Sequence, residues 1–292
     1  MREIKKLAIV LGCALLFIVF YFLCAGSAKS AKDYYASGGG GTTDVENFQN
    51  VSIEDDIHRY VVKNMEKEVK ITGTGDIMFY DYQMERAYDS EKGTFDFSPS
   101  FQYISKYLAD SSYVLGNFEG TMAGKDQGAS SNTYGYWADS QNMNFNIPEA
   151  AAADLKAAGF DMLTTANNHV LDSKLEGAVS TIDVITSAGL EQTGTFKTSN
   201  DARYVIKNID GINVGIIAYT NFVNAQMSED ETYLVNNLDQ FTDSKISLMC
   251  SQIEEMRSSG AEYVVVNLHF GEKYGASVSD AEKSLAKRLV EA

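Results

Sequence analysis

The chain has 292 residues, of which 45% are hydrophobic and 22% are charged, so it can bury a sizeable core and wholesale disorder is excluded. Its 24 Lys and Arg against 40 Asp and Glu give a formal net charge of −16, which argues against a general affinity for nucleic acid or for anionic lipid headgroups. An anionic ligand of this protein therefore needs a local cation.

The N-terminus carries an uncharged apolar run over residues 7–26, about the length that a helix needs to cross a bilayer. Arg2, Lys5 and Lys6 precede this run, and such basic flanks stay in the cytoplasm. We therefore predict a transmembrane anchor, with the remaining chain on the extracytoplasmic side of the cell membrane. A cleaved signal peptide is the alternative, because small residues follow at 27–31.

Composition divides the chain into three parts. Residues 1–26 form the predicted cytoplasmic tip and anchor. Residues 27–68 begin small, polar and glycine-rich, which predicts a flexible tether and lead-in. A compact domain is predicted over residues 69–292. Cys250 is the one cysteine in this domain, so no disulfide can form within it.

Apolar runs that end in turn residues predict strands in the compact domain, and caps, prolines and terminating glycines predict helices between them. In chain order the predictions are a strand at 69–74, a helix at 98–109, strands at 113–115 and 161–165 on either side of a helix at 148–159, a helix at 174–188, strands at 190–193, 204–208 and 214–219, a helix at 238–258, a strand at 263–268 and a helix from 280 to 292. This alternation, with several strands apolar on both faces, predicts an α/β fold layered as helix, sheet and helix.

Polar side chains follow several of these strands, at the edge where open α/β sheets gather their functional groups. They are Asp76, Asn117, Glu119, Asn168, His169, Asp172 and His269. Each one alone would be an ordinary turn residue, so their convergence is the signal. Carboxylate, amide and imidazole groups suit divalent ions such as Mn, Fe or Zn, and a pair of such ions about 3.5–4 Å apart can activate a water.

Four motifs resemble, in order and spacing, those of the bacterial capsule-synthesis CapA family, which is associated with poly-γ-glutamate biosynthesis. The motifs are Gly75-Asp76-Ile77-Met78, Asn117-Phe118-Glu119-Gly120, Asn167-Asn168-His169-Val170-Leu171-Asp172 and His269-Phe270-Gly271. The resemblance implies a calcineurin-like metallophosphoesterase fold and a membrane-anchored, extracytoplasmic location. It also implies a role in making, releasing or anchoring an anionic γ-linked glutamate polymer.

The resemblance also implies roles for individual residues. Asp76, Glu119, Asn168 and His269 match positions that bind a divalent metal. His169 matches the catalytic acid. Asp172 is placed in the same catalytic group, where orienting His169 is one interpretation of its role.

Among the departures from the family pattern, two concern the expected metal ligands. Met78 stands where the wider superfamily has histidine, and a thioether is a poor ligand for hard ions. The family domain also continues into a further strand and a Gly-x-His-x-His loop that this sequence lacks. We therefore expect a truncated domain, either a fragment or a natural short form.

Two functions follow from these features. One is a metal-dependent hydrolase that cleaves a phosphoester or an amide of the polymer. The other is a non-catalytic accessory factor that binds or guides the anionic polymer at a membrane synthase complex, with one metal or none.

Overall fold

The computed structural model describes residues 68–124, 144–271 and 278–292, together with the backbone of residues 135–138 and 143. The predicted anchor and tether lie outside these residues. Within the described part of the chain, no helix is long and apolar enough to span a bilayer. In chain order the elements are β1 (Ile71–Ile77), α1 (Asp81–Ala87), β2 (Tyr88–Asp89), β3 (Thr94–Phe95), α2 (Ser98–Phe101), α3 (Ser105–Leu108), β4 (Tyr113–Phe118), β5 (Gly135–Ala138), β6 (Met143–Asn146), α4 (Ala150–Ala158), β7 (Met162–Thr164), α5 (Lys174–Ser187), β8 (Glu191–Thr193), β9 (Val205–Ile209), β10 (Ile212–Thr220), a 3-10 turn (Glu229–Glu231), α6 (Asp243–Ser258), β11 (Tyr263–His269) and α7 (Asp280–Glu291).

The two larger sheets of the described residues form the centre of the fold. The first is four-stranded and parallel, in the order β1-β4-β7-β8. The second is three-stranded, in the order β11-β10-β9, with β10 parallel to β11 and antiparallel to β9. The α/β class and the helix-flanked parallel sheet are therefore confirmed.

The expected single layer of sheet is wrong, because side chains from both sheets share one hydrophobic cluster. Leu115 and Met162 of the first sheet pack there with Val214 and Ile216 of the second. The opposite faces pack under helices, α4 and α5 on the first sheet and α6 and α7 on the second. The layers are thus helix, sheet, sheet and helix. A strand that is apolar on both faces indicates only that both faces are covered, whether by a helix or by a second sheet.

The predicted helix at 98–109 is two short helices, α2 and α3. At their junction the Ile104 N–H bonds the Phe101 carbonyl at 3.0 Å, an i to i+3 contact, and the Ser105 hydroxyl donates to the same carbonyl at 2.7 Å. These bonds replace the regular α-helical ladder there. Ser98 lies inside α2, whose cap position is Phe97.

Helix α6 begins at Asp243, five positions later than the predicted start at Leu238. Asp239, Gln240 and Phe241 have φ angles of +47°, +59° and +65°, and a right-handed helix cannot include such residues. The remaining predicted elements match to within a few residues, including the left-handed Gly159 that ends α4 and the Ser279 capping box that begins α7.

Candidate metal centre

The carboxyl ends of β1, β4, β7 and β11 meet at one edge of the fold, as expected for parallel strands. There, ligand atoms of Asp76, Glu119 and His269 all lie within 4.8 Å of one another. His269 Nδ1 is 3.3 Å from Asp76 Oδ1, and His269 Nε2 is 2.8 Å from Asn168 Oδ1 and 3.9 Å from Glu119 Oε1. The structure thus brings the four predicted ligands together.

The orientation of Asp76 and Glu119 depends on local backbone features at the ends of β1 and β4. The register between β1 and β4 shifts between Gly73 and Asp76, which places Asp76 opposite Asn117. Such a bulge bends its strand and redirects the side chain that follows it. Glu119 directly follows β4 and is held by a backbone bond from its N–H to the Ile77 carbonyl at 3.0 Å. Both carboxylates therefore project from the same sheet edge.

Asn117 connects two of the candidate ligands, although the family resemblance implies no role for it. Its Nδ2 donates to Asp76 Oδ1 at 2.8 Å and lies 3.2 Å from His269 Nδ1. Its Oδ1 lies 3.4 Å from the donors Thr164 Oγ1 and Asn167 Nδ2. Nδ1 of His269 thus lies beside both Asn117 Nδ2 and Asp76 Oδ1, while Nε2 faces Asn168 Oδ1. Asn117 thereby orients Asp76 and His269 together, and its strand-end position was the available signal.

His169 lies on the loop after β7 with its two ring nitrogens facing different carboxylates. Nδ1 is 2.7 Å from Asp172 Oδ2, and Nε2 is 3.6 Å from Glu119 Oε1. Asp172 Oδ2 also accepts the Phe145 N–H at 2.7 Å, and the Phe145 ring meets the imidazole edge-on with centroids 4.9 Å apart. The His169 ring is buried, and its contacts with Asp172 and Phe145 fix its orientation. Nε2 therefore points toward the candidate metal centre.

Asn224, on the segment after β10, is not among the site residues predicted from the sequence. Its Oδ1 accepts from Asn168 Nδ2 at 3.3 Å, and its N–H donates to the Asn168 carbonyl at 2.9 Å. With Nδ2 engaged in this way, Asn168 turns Oδ1 toward His269. The strand-end criterion applied to β10 as well would have singled out this segment.

The two carboxylates of the site differ in their electrostatics. The hydrogen bond from His269, helped by Asn117, lowers the pKa of Asp76 to about 2 against an opposing effect of burial. Burial, with a further contribution from Asp76, raises the pKa of Glu119, although the histidines oppose it. A buried carboxylate that pays for desolvation beside a second carboxylate is stabilised in its charged form by a cation. The donor set and its charge therefore fit a divalent ion such as Mn, Fe or Zn.

Fold and site together define a mixed α/β protein with carboxylates, an amide and imidazoles gathered at one sheet edge. The family model of the bacterial capsule synthesis protein PGA_cap matches residues 70–292, and the chain belongs to this family. The family resemblance drawn from the four motifs is thereby confirmed.

Two relatives illustrate the similarity. The chain is 30% identical over 234 residues to the capsule biosynthesis protein CapA of Bacillus anthracis, covering 79% of this chain and 54% of that protein. It is 23% identical over 220 residues to the PGA biosynthesis protein CapA of Bacillus subtilis strain 168, covering 75% and 53%. The chain thus spans about half the length of these relatives.

Proposed function

We propose that this chain is a membrane-anchored, extracytoplasmic protein of poly-γ-glutamate capsule biosynthesis with a divalent-metal-dependent hydrolase site. The observation that carries the hydrolase proposal is the meeting of Asp76, Glu119 and His269 ligand atoms within 4.8 Å, with His169 Nε2 3.6 Å from Glu119. The names of the two CapA relatives support the capsule role. The apolar run at 7–26 and its basic flank support the anchor and its orientation.

In this proposal the partners are the anionic polymer and a membrane synthase complex, and the acidic chain does not bind nucleic acid. A polyanion that approaches a protein of net charge −16 is repelled over roughly the 8–10 Å that salt leaves unscreened. Binding at the site therefore depends on a cation held among the carboxylates.

Asp76, Glu119, Asn168 and His269 would hold the metal, with Asn117 and Asn224 fixing their orientation. A divalent ion bound there supplies Lewis acidity and lowers the pKa of a bound water. Asp172 accepts a hydrogen bond from the Nδ1 proton of His169 and so stabilises the imidazolium form, in which Nε2 also carries a proton and delivers it to the leaving group. The Phe145 ring shields one edge of the imidazole from water.

The hydrolase proposal is tested on the full chain with two variants. His269→Ala is expected to weaken Mn or Zn binding by at least about tenfold, since it removes a ligand, whereas His169→Ala is expected to retain the metal. His169→Ala should instead lower cleavage of bis-p-nitrophenyl phosphate or of oligo-γ-glutamate by about 10²–10⁴-fold, the range of general acid catalysis. Equal activity in His169→Ala, or absence of metal from the unaltered chain, would reject the assignment.

A non-catalytic accessory factor is the second candidate. Among the residues that the structure describes, the acidic and imidazole side chains form a single group of ligands, which suits one ion better than a pair. One ion could hold a carboxylate of the polymer without cleaving it. Metal-dependent binding of oligo-γ-glutamate with no release of shorter chains over long incubation would favour this function over hydrolysis.

A further inference from the structure

A cavity lies beside the candidate metal centre. It has a volume of about 310 Å³, at the small end of the range that small-molecule sites occupy. Its walls come from the segment after β10, from the segment before α6 and from the first turn of α6. Asn221, Asp239, Gln240 and Lys245 are among the residues that line it.

The cavity and the metal centre share one stretch of backbone. Thr220, the last residue of β10, pairs in register with His269, and the Asn221 N–H donates to the His269 carbonyl at 3.3 Å. Three positions further, Asn224 bonds the backbone and the side chain of Asn168. A ligand in the cavity therefore sits next to the loops that carry two of the candidate metal ligands.

The wall of the cavity is held by backbone bonds. The Leu238 N–H donates to the Thr220 carbonyl at 2.7 Å, and the Gln240 N–H donates to the Asn221 carbonyl at 2.9 Å. These bonds tie the left-handed turn at Asp239 and Gln240 to the end of β10. The shape of the cavity is therefore preformed, which lowers the ordering cost of binding.

Two polar groups that line the cavity have no hydrogen-bond or ion-pair partner among the residues that the structure describes. Asn221 is only 6% exposed, yet its Oδ1 has no hydrogen-bond partner. Lys245 is half-buried and forms no ion pair with any residue that the structure describes. A buried amide oxygen without a partner costs free energy, and a lysine that stays unpaired in a chain of net charge −16 is available to an anion.

We propose that this cavity is a subsite for an amide-linked, carboxylate-bearing chain, namely the glutamyl units of the polymer adjacent to the metal centre. This inference rests on the proposed function. The Lys245 ammonium pairs with the carboxylate of a glutamyl unit, and it offsets the nearby carboxylate of Asp239. The Asn221 side chain pairs with the amide that links the units. A phosphate polymer could supply the anion but has no amide to match Asn221.

The test measures binding of fluorescent oligo-γ-glutamate to the full chain by anisotropy, in EDTA and again with Mn. Lys245→Gln removes the ammonium at similar side-chain length, and Lys245→Arg keeps the positive charge. Lys92→Gln is the matched control, because it removes an exposed lysine between β2 and β3 with the same change in net charge. We expect Lys245→Gln to weaken binding about tenfold in both buffers, the size of one lost charge-assisted contact, and Lys92→Gln to leave it unchanged.

Two further probes define the ligand. The same oligomer with its carboxylates esterified should lose its dependence on Lys245, and a glycerol phosphate polymer should bind more weakly than oligo-γ-glutamate. Equal affinity of the Lys245→Gln and Lys92→Gln variants would overturn the subsite. Tight, Lys245-dependent binding of the phosphate polymer, unaffected by Asn221→Ala, would overturn the glutamyl ligand. Because binding is read in EDTA, loss of the metal proposal alone leaves this result unchanged.

Discussion

His169 and Asp172 form a hydrogen-bonded pair across one turn of chain, with Nδ1 and Oδ2 2.7 Å apart. The same carboxylate oxygen accepts the Phe145 N–H at 2.7 Å, so its position does not depend on the imidazole alone. A carboxylate at Nδ1 selects the ring tautomer that carries its proton there. The pair therefore determines which nitrogen of His169 faces Glu119.

Asp172→Asn tests this relationship. The neutral amide no longer stabilises the imidazolium form of His169, which is the form that carries on Nε2 the proton delivered to the leaving group. We expect kcat to fall by about 100-fold or more, with an altered pH profile and unchanged metal content. Asp183→Asn, which changes an exposed acid of α5, is the control. An unaltered kcat in Asp172→Asn would show that Asp172 does not position His169.

Asn117→Ala tests the amide between Asp76 and His269. The variant loses contacts of 2.8 and 3.2 Å that orient these two side chains. Because groups of this kind affect metal affinity by about 10–100-fold, titration calorimetry with Mn should show weakening in that range. Asn208→Ala, which removes an exposed asparagine from β9, should bind as the unaltered chain does. Equal affinity of both variants would contradict the assigned role.

Glu119→Gln tests the electrostatic cost of the site without metal. Because burial raises the pKa of Glu119 in the folded state, its contribution to stability is greatest below the unfolded pKa of about 4.3 and is lost as pH rises through the folded value. In EDTA at pH 7 the variant should melt about 2–4 °C higher than the unaltered chain, a difference that shrinks toward pH 4.

In saturating Mn the unaltered chain should melt at a higher temperature than Glu119→Gln. A ligand that binds the folded state stabilises it, and the variant has lost a carboxylate donor to that ligand. The control is Glu85→Gln, an exposed position of α1. A lower melting temperature for Glu119→Gln in EDTA at pH 7 would contradict the raised pKa as a source of instability.

Gly194→Ala tests the approach of the segment after β8 to the loop that carries Asn168. The φ angle of Gly194 is +107°, and an added Cβ would lie 2.7 Å from the Ala166 nitrogen. Backbone strain and this clash together should cost about 3 kcal/mol of unfolding free energy and weaken metal binding. Gly189→Ala has a φ of +79° but open space around its Cβ, so we expect about 1–2 kcal/mol in denaturant unfolding. Equal losses would show that the clash relaxes freely.

Much of the fold could be predicted from the sequence because its signals are local. Gly159 ends α4 in a left-handed conformation, and Ser279 caps α7 by accepting the Glu282 N–H at 3.2 Å. Strand ends were marked in the same way, so the positions of Asp76 and His269 at one edge followed from the pattern of parallel strands. Such features are determined by residues close in the sequence and do not depend on which elements pack against them.

The tertiary structure alone decided how the two sheets pack and which polar groups meet. His269 and Asn168 lie 101 residues apart in sequence, and their contact exists because Leu115 and Val214 bury their side chains between the sheets. The same packing brings Asn117 against both Asp76 and His269. Hydrophobic burial is non-directional, so a pattern of apolar residues specifies that a face is covered but not which partner covers it.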